Sequence, residues 1–469
     1  MGQRKQSTFE RLEKLNRKQR RQLGSRVAAG DPSLQIVHPD AAGIDVGNAS
    51  HFVAVPGGRD EQPVREFGCW TADLHKMAEW LVECGIRTVA MQSTGVYWVA
   101  LMEVLEEAGL EVYLVNARGT KNIPGRKSDV QECQWLMKLH SYGLLRNSFR
   151  PPEQIRVVRS IWRQRERVVM ECGRMVQRMQ KALTSMNVQL ANVISDISGV
   201  TGMRIIRRIL DGERDGRVLA NLREPTIRAS EAEIVASLEG HWRPEYLFEL
   251  KQVVEAYDFY REQMRACDEE LEKALAALPD HPVTGEPVKA RRKSPSRRKN
   301  QPGFDLGEQL QRVLGVDLTT IDGVEVTTAQ VILAEIGWDF SAFPDEDHFA
   351  GWLGLAPRND VSGGRVIRHV RPDVRNRLAN ALRMATQALW RSESYLGARY
   401  RSLRGRMEGE KANKAMARYL ACLIYRLVTK GQAYVDRGAE YFENKRQQRQ
   451  LMALERRAAQ LNMRLVPAT

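Results

Sequence analysis

Between residues 41 and 150 the apolar positions change period in a definite order. "GIDVG", "HFVAVP" and "PVREFGCW" are short runs with the alternation and β-branched content of strands, and "PGGRDEQ" supplies the turn between the last two. "TADLHKMAEWLVECG" then opens with a threonine in capping position, shifts to helical spacing and ends on Gly85. The strand "RTVAMQST" and the helix "YWVALMEVLEEAG" follow, the helix again stopped by a glycine. "EVYLVNA" and "SDVQECQWLMKLHSYG" repeat the pair and close the unit.

Three strands in a meander followed by two strand–helix repeats predict an α/β domain with the element order of an RNase H-like fold. A doubly wound nucleotide-binding sheet would alternate from its start and carry a Gly-rich first loop. From Pro151 onward the period is helical. Two long polar stretches, "PPEQIRVVRSIWRQRERVVMECGRMVQRMQKALTSMNVQLANVI" and "YLFELKQVVEAYDFYREQMRACDEELEKALAAL", predict a helical hairpin or coiled-coil arm, with an all-helical globular subdomain as the equal alternative. "DHPVTGEPVKARRKSPSRRKNQPG" reads as a solvated basic linker, and mainly helical sequence follows it to the end. The expected layout is a basic helical arm at 1–38, the α/β domain at 39–150, a helical region at 151–278, the linker at 279–309 and a mainly α C-terminal domain at 310–469.

Charge narrows the partners. A formal net charge of +14 over 469 residues favours a polyanion. No apolar run is long enough to span a bilayer, and Ser7 stands one place late for a myristoylation motif, so a membrane is not expected. The six dispersed cysteines, without CxxC or zinc spacing, suggest reduced thiols in a cytoplasmic protein. The expected backbone contacts are Arg126 and Lys127, the linker cations Arg291, Arg292, Lys293, Arg297, Arg298 and Lys299, and Arg358, Arg365 and Arg368 in "LAPRNDVSGGRVIRHV". The bland alternative for the linker is a charge run that keeps it extended. "VDLTTIDGVEVTTAQVILAEIG" resembles half of a helix-hairpin-helix phosphate motif, but Glu325 replaces its second glycine, and a packing turn fits equally well.

An RNase H-like fold gathers acidic residues from its first strand, fourth strand and last helix around Mg²⁺. Asp45 lies on the first strand signal. Asp129 and Glu132 are spaced i, i+3, which puts both carboxylates on one face of the last helix. Such hard oxygen donors select Mg²⁺, or Mn²⁺, over softer metals. The fourth-strand position is Gln92, which offers a carbonyl oxygen without charge. The structural alternatives are a strand-end turn for Asp45 and a helix cap for Asp129. Ser362 has no nucleophile elbow and no triad spacing. Its setting of two glycines and three arginines suits a phosphate contact, and a loop turn without chemistry is the alternative.

The chain resembles the DEDD-type transposases of the insertion-sequence family named IS-one-ten, over about residues 40–465. The resemblance rests on "GIDVGNASHFVAV", "MQSTGVYW", "VNARGTKNIPGRKSDVQECQWLMKLHSYGLL" with "SFRPP", "IDGVEVTTAQVILAEIG", "FAGWLGLAPRNDVSGGRV" and "YRLVTKGQAYVD". It implies a RuvC-like N-terminal domain, a coiled-coil middle and a C-terminal transposase domain. Asp45 matches the first acidic residue and Asp129 the third, Gln92 falls where the family has Glu, and Glu132 where it usually has Asp. Ser362 matches a serine that forms a covalent link to DNA. The resemblance further implies Mg²⁺-dependent strand exchange of double-stranded DNA, a bridge RNA as guide, a dimer or tetramer with a site composed across subunits, and a bacterial cytoplasmic setting at the nucleoid. Two other readings stay open: an RNase H-like nuclease or resolvase acting by hydrolysis, and an inactive nucleic-acid-binding regulator. An actin-like sugar kinase fits poorly, because no later Gly-rich adenosine loop is present.

Overall fold

The computed structural model describes residues 22–23, 25–27, 31, 33–92, 95–116, 128–282, 300–362, 365–370, 376–431 and 437–466, and for 358–362 and 368–370 the backbone alone. The chain divides into two compact units, Met1–Arg150 and Pro151–Thr469.

The first unit is built on a five-stranded sheet: β1 (Ala41–Val46), β2 (Ser50–Ala54), β3 (Val64–Gly68), β4 (Thr88–Gln92) and β5 (Glu111–Val115), in the order β3-β2-β1-β4-β5. β1, β2 and β3 form the antiparallel meander, and β1, β4 and β5 run parallel. This mixed sheet is consistent with the RNase H-like order read from the sequence. Its strands are crossed by α1 (Thr71–Glu83), α2 (Trp98–Glu107) and α3 (Asp129–Ser141). Thr71 does not cap α1. The cap position is Trp70, whose side chain makes no capping bond, and Thr71 is already the first helical residue.

Side-chain alternation gives the sheet two different faces. Ile44, Val53, Val89, Met91, Val112 and Leu114 join Leu74, Met77, Leu81, Leu101 and Leu105 in one buried core, against α1 and α2. On the opposite face, Ala90 and Val115 pack with Leu136 and Leu139 of α3. Gly43 and Asp45 of β1 and Gln92 of β4 belong to this second face by the same alternation. Thus one side of the sheet is an apolar core, and the other combines a smaller core with the polar residues.

The second unit starts with two 33-residue helices, α4 (Glu153–Ser185) and, after four short helices α5 (Leu190–Val193), α6 (Val200–Leu210), α7 (Gly216–Ala220) and α8 (Glu231–Ser237), α9 (Pro244–Ala276). Ile155, Val158, Trp162, Arg165, Val168, Cys172, Met175 and Met179 are buried along α4 at three- and four-residue spacing, the seam of a helix pair. The helices run antiparallel: Arg165, early in α4, forms a buried ion pair with Asp268, late in α9. At the far end, Met179 and Leu183 share a core with Leu250, Val254 and residues of α6 to α8. A long paired hairpin and a compact helical cap are therefore both present.

The rest comprises α10 (Leu306–Leu314), α11 (Val326–Ile336), α12 (Glu346–Trp352), the hairpin β6 (Arg358–Ser362) and β7 (Arg365–Val370), then α13 (Arg377–Ala388), α14 (Tyr395–Arg404), α15 (Gly409–Lys430) and α16 (Gly438–Gln460). The turn before α11 is a packing turn: Gly323 has φ +84°, and a Cβ there would lie 2.9 Å from the Ala385 carbonyl oxygen of α13. Among the described residues no helix is long and apolar enough to cross a membrane. All six cysteines are free thiols.

Candidate functional site

The acidic set is assembled by one close approach. A Cβ on Gly43 would lie 2.2 Å from the Met137 nitrogen and 2.3 Å from the Cys133 carbonyl oxygen, so the backbone of α3 rests directly on β1. Only glycine permits that distance. Asp45 is two residues further along the same strand and on the same face. It lies inside the strand, paired with Phe52, and is not a turn residue. Because Cys133 meets Gly43, the preceding turn of α3, with Asp129 and Glu132, is carried toward Asp45.

The start of α3 is fixed by a reciprocal cap. Ser128 Oγ accepts from Gln131 N at 3.3 Å, and Gln131 Oε1 accepts from Ser128 N at 3.4 Å. Asp129 is thus the first helical residue and not the cap. The S-x-x-Q spacing signals this box in the sequence. Asp129 is exposed and Glu132 half-buried. Burial, followed by the charges of Asp45 and Asp129, pushes the Cys133 thiol up to about 12. Both carboxylates therefore act on one point of the helix.

Gln92 joins them across the sheet. β1 and β4 run in register through Ile44 and Met91, so Asp45 and Gln92 are the next residues along two adjacent parallel strands. Gln92 is buried, and its Nε2 donates to Glu132 Oε2 at 3.5 Å. Strand one, strand four and the last helix thus bring Asp45, Gln92, Asp129 and Glu132 to one end of the sheet. Among the described residues, no three His, Cys, Asp or Glu side chains are gathered closely enough to form a ligand group. The donor set is all oxygen, which suits a hard divalent cation, and Asp45, Asp129 and Glu132 are the residues that would hold it.

Ser362 belongs to a hairpin and not to a loop. It ends β6, pairs directly with Arg365 at the start of β7, and a register shift falls at Asp360/Val361. Arg358 pairs with Val370 and Asp360 with Arg368, so all three predicted arginines lie on this ribbon, with Arg365 exposed. Gly363 and Gly364 lie outside the described residues, as do Arg126, Lys127, Arg291, Arg292, Lys293, Arg297, Arg298 and Lys299. The segments flanking the ribbon line a cavity of about 840 Å³, with Gly354 and Leu355 before it and Asn376 and Arg377 after it. Trp162 and Glu166 of α4 close another side. Glu166 accepts from Arg377 at 2.8 Å, and burial raises its carboxyl above the usual range. Sequence reading missed these residues, because a long helix and two distant segments supply them together.

Two stretches match models of known families. Residues 42–188 match a DEDD-type transposase model. Residues 316–401, which include the ribbon, match a model described as transposase, IS116/IS110/IS902 family. The protein is a DNA transposase/recombinase enzyme. Together the matches support an insertion-sequence transposase of the IS110 type. A DEDD-type domain implies dependence on a divalent metal, commonly Mg²⁺, in agreement with the oxygen donors described above. No curated protein matched the chain.

Proposed function

We propose that this transposase exchanges DNA strands through a covalent serine intermediate formed by Ser362. The observation that carries the reading is the position of Ser362 at the end of β6, opposite Arg365, in an arginine-bearing ribbon within the matched transposase stretch. Arginines are suited to holding phosphate oxygens bidentately, and a strand end fixes a serine backbone better than a free loop.

In this mechanism the Ser362 oxygen attacks a DNA phosphorus. The bond to the 3′ oxygen breaks, the 5′ phosphate stays on the serine, and the leaving 3′ oxygen takes up a proton. A 3′-hydroxyl of another strand then attacks the phosphoserine, a new phosphodiester forms, and the serine oxygen recovers its proton. One phosphodiester is exchanged for another, so no nucleotide cofactor is consumed. A divalent ion held by Asp45, Asp129 and Glu132 would supply charge stabilisation for the attacking and leaving oxygens. Gln92 holds Glu132 through its amide and contributes no charge of its own.

The full reading takes the acidic set and Ser362 from different subunits, and so requires a dimer or tetramer. A structured bridge RNA selects the target by base pairing, and Arg126, Lys127, the linker cations, Arg358, Arg365 and Arg368 bind nucleic-acid backbones. The reaction takes place at the nucleoid in the cytoplasm. The layout by domains is a basic arm, a RuvC-like domain, a helical middle, a basic linker and a C-terminal transposase domain.

The test is Ser362→Ala, assayed for a protein–DNA adduct that survives denaturing electrophoresis. The adduct should disappear while DNA binding persists, and an adduct of undiminished yield overturns the nucleophile assignment. Cut ends without any adduct in the unmodified chain favour a hydrolytic nuclease instead. The amide at Gln92 favours one further reading, an inactive nucleic-acid-binding regulator, for which neither adducts nor cuts would form.

A further inference from the structure

A second basic surface lies away from the serine ribbon, between α14 and α16. The two helices enclose a groove of about 470 Å³. Arg399 and Arg406 line it from the α14 side, and Lys445, Arg446 and Arg449 from α16. No carboxylate is among its lining residues. Only Arg446, beside Glu443 at 3.2 Å, has an acidic partner among the described residues.

The remaining cations are positioned without neutralisation. The Arg399 guanidinium stands 4.1 Å over the Tyr419 ring, and its Nε is buried without a hydrogen-bond partner among the described residues. Arg406 Nε donates to the Ser402 carbonyl oxygen at 3.3 Å. Lys445 stands 5.6 Å over the Tyr441 ring. Tyr395 and Phe442, edge to face at 5.2 Å, close the groove floor between the helices. Packed rings therefore hold like charges around one concavity, where they repel each other until an anion enters. Lys445 and Arg449 are one helical turn apart on one face, so the cations form a row and not a single anion pocket.

We propose that this groove binds the sugar–phosphate backbone of a nucleic-acid strand, at a site separate from the serine ribbon. Fork-shaped arginines beside a lysine row fit successive phosphate oxygens, and the absence of carboxylates leaves nothing to repel them. The proposal rests on the transposase reading only in taking nucleic acid as the polyanion. Duplex DNA and structured RNA share the phosphodiester chemistry, and the experiment separates them.

The full chain and its Arg406→Gln/Lys445→Gln/Arg449→Gln variant are compared by fluorescence anisotropy, over a range of KCl, with duplex DNA, a folded RNA and single-stranded DNA. Each lost duplex phosphate contact should lower the slope of log affinity against log salt by about 0.9, and each single-strand contact by about 0.7. The variant should therefore lose a slope of about 2 to 3 on the ligand that occupies the groove, and the arm that moves identifies it. An Arg406→Lys/Arg449→Lys variant should keep the slope, which excludes misfolding as the cause. Unchanged slopes on all three ligands overturn the proposal. A changed slope without a Ser362 adduct overturns the serine mechanism alone, and an adduct with unchanged slopes overturns the groove alone.

Discussion

Gln92 Nε2 of the fourth strand donates to Glu132 Oε2 of α3 across 3.5 Å, so an amide stands where the resemblance calls for a carboxylate. The contact gives the amide a structural role. It faces a buried glutamine toward a half-buried carboxylate and satisfies one donor that burial would otherwise leave unpaired.

Replacing the amide by a carboxylate should separate stability from metal binding. In Gln92→Glu two carboxylates would face each other, so the metal-free melting temperature should fall. Mg²⁺ should bind roughly tenfold more tightly, because the added ligand charge raises affinity. Thermal melts over a Mg²⁺ titration measure both effects. A variant with unchanged metal-free stability and unchanged Mg²⁺ response would show that position 92 does not face the ion.

Gly43 predicts a backbone effect. A methyl group there meets main-chain atoms of Met137 and Cys133 at 2.2–2.3 Å, so α3 must move. Gly43→Ala should destabilise the chain by about 1–3 kcal/mol, the usual range for overpacking, and should weaken Mg²⁺-dependent strand exchange. Gly57→Ala, where nothing lies within 4 Å, is the control. Equal urea midpoints for the two variants would contradict the close approach.

His140 predicts acid sensitivity. It is fully buried, its Nε2 meets Thr88 Oγ1 at 2.8 Å, and its Nδ1 has no partner. Thr88 Oγ1 also donates to the Glu111 carbonyl oxygen at 3.1 Å, which leaves His140 Nε2 as the donor in their contact. A second proton would thus fall on a buried nitrogen without an acceptor. Burial, with a smaller effect from His38 stacked on it at 4.9 Å, lowers its pKa from 6.5 to about 3. Between those values the unfolded chain binds the proton and the folded chain does not. Stability should therefore be lost as the pH falls below 6.5, by about 1.4 kcal/mol per unit down to about 3. Burial depresses His51 in the same direction, so the readout is the difference from His140→Gln. That variant should lose about one proton from the pH slope, and an unaltered slope would refute the assignment.

Much of the site was legible in the sequence because its signals are local. Alternation marked β1 and hence Asp45, and helical spacing put Asp129 and Glu132 on one face. Ser128 and Gln131 were equally legible as S-x-x-Q, whereas Thr71 resembled a cap only because capping residues also occupy first helical turns. Ser362 was read as a loop residue because paired glycines and arginines suggest mobility, and the pairing of β6 with β7 overrides that local composition.

By itself the sequence determined the period of each element, the order of strands and helices, the excess of cations and the identity of the candidate donors. These follow from side-chain chemistry read along the chain. Only the tertiary structure decided that Gly43 admits the α3 backbone, that Gln92 reaches Glu132, that Arg165 meets Asp268, and that cations of α14 and α16 face one groove. Each of these depends on the distance between segments remote in sequence, and packing, not local preference, sets that distance.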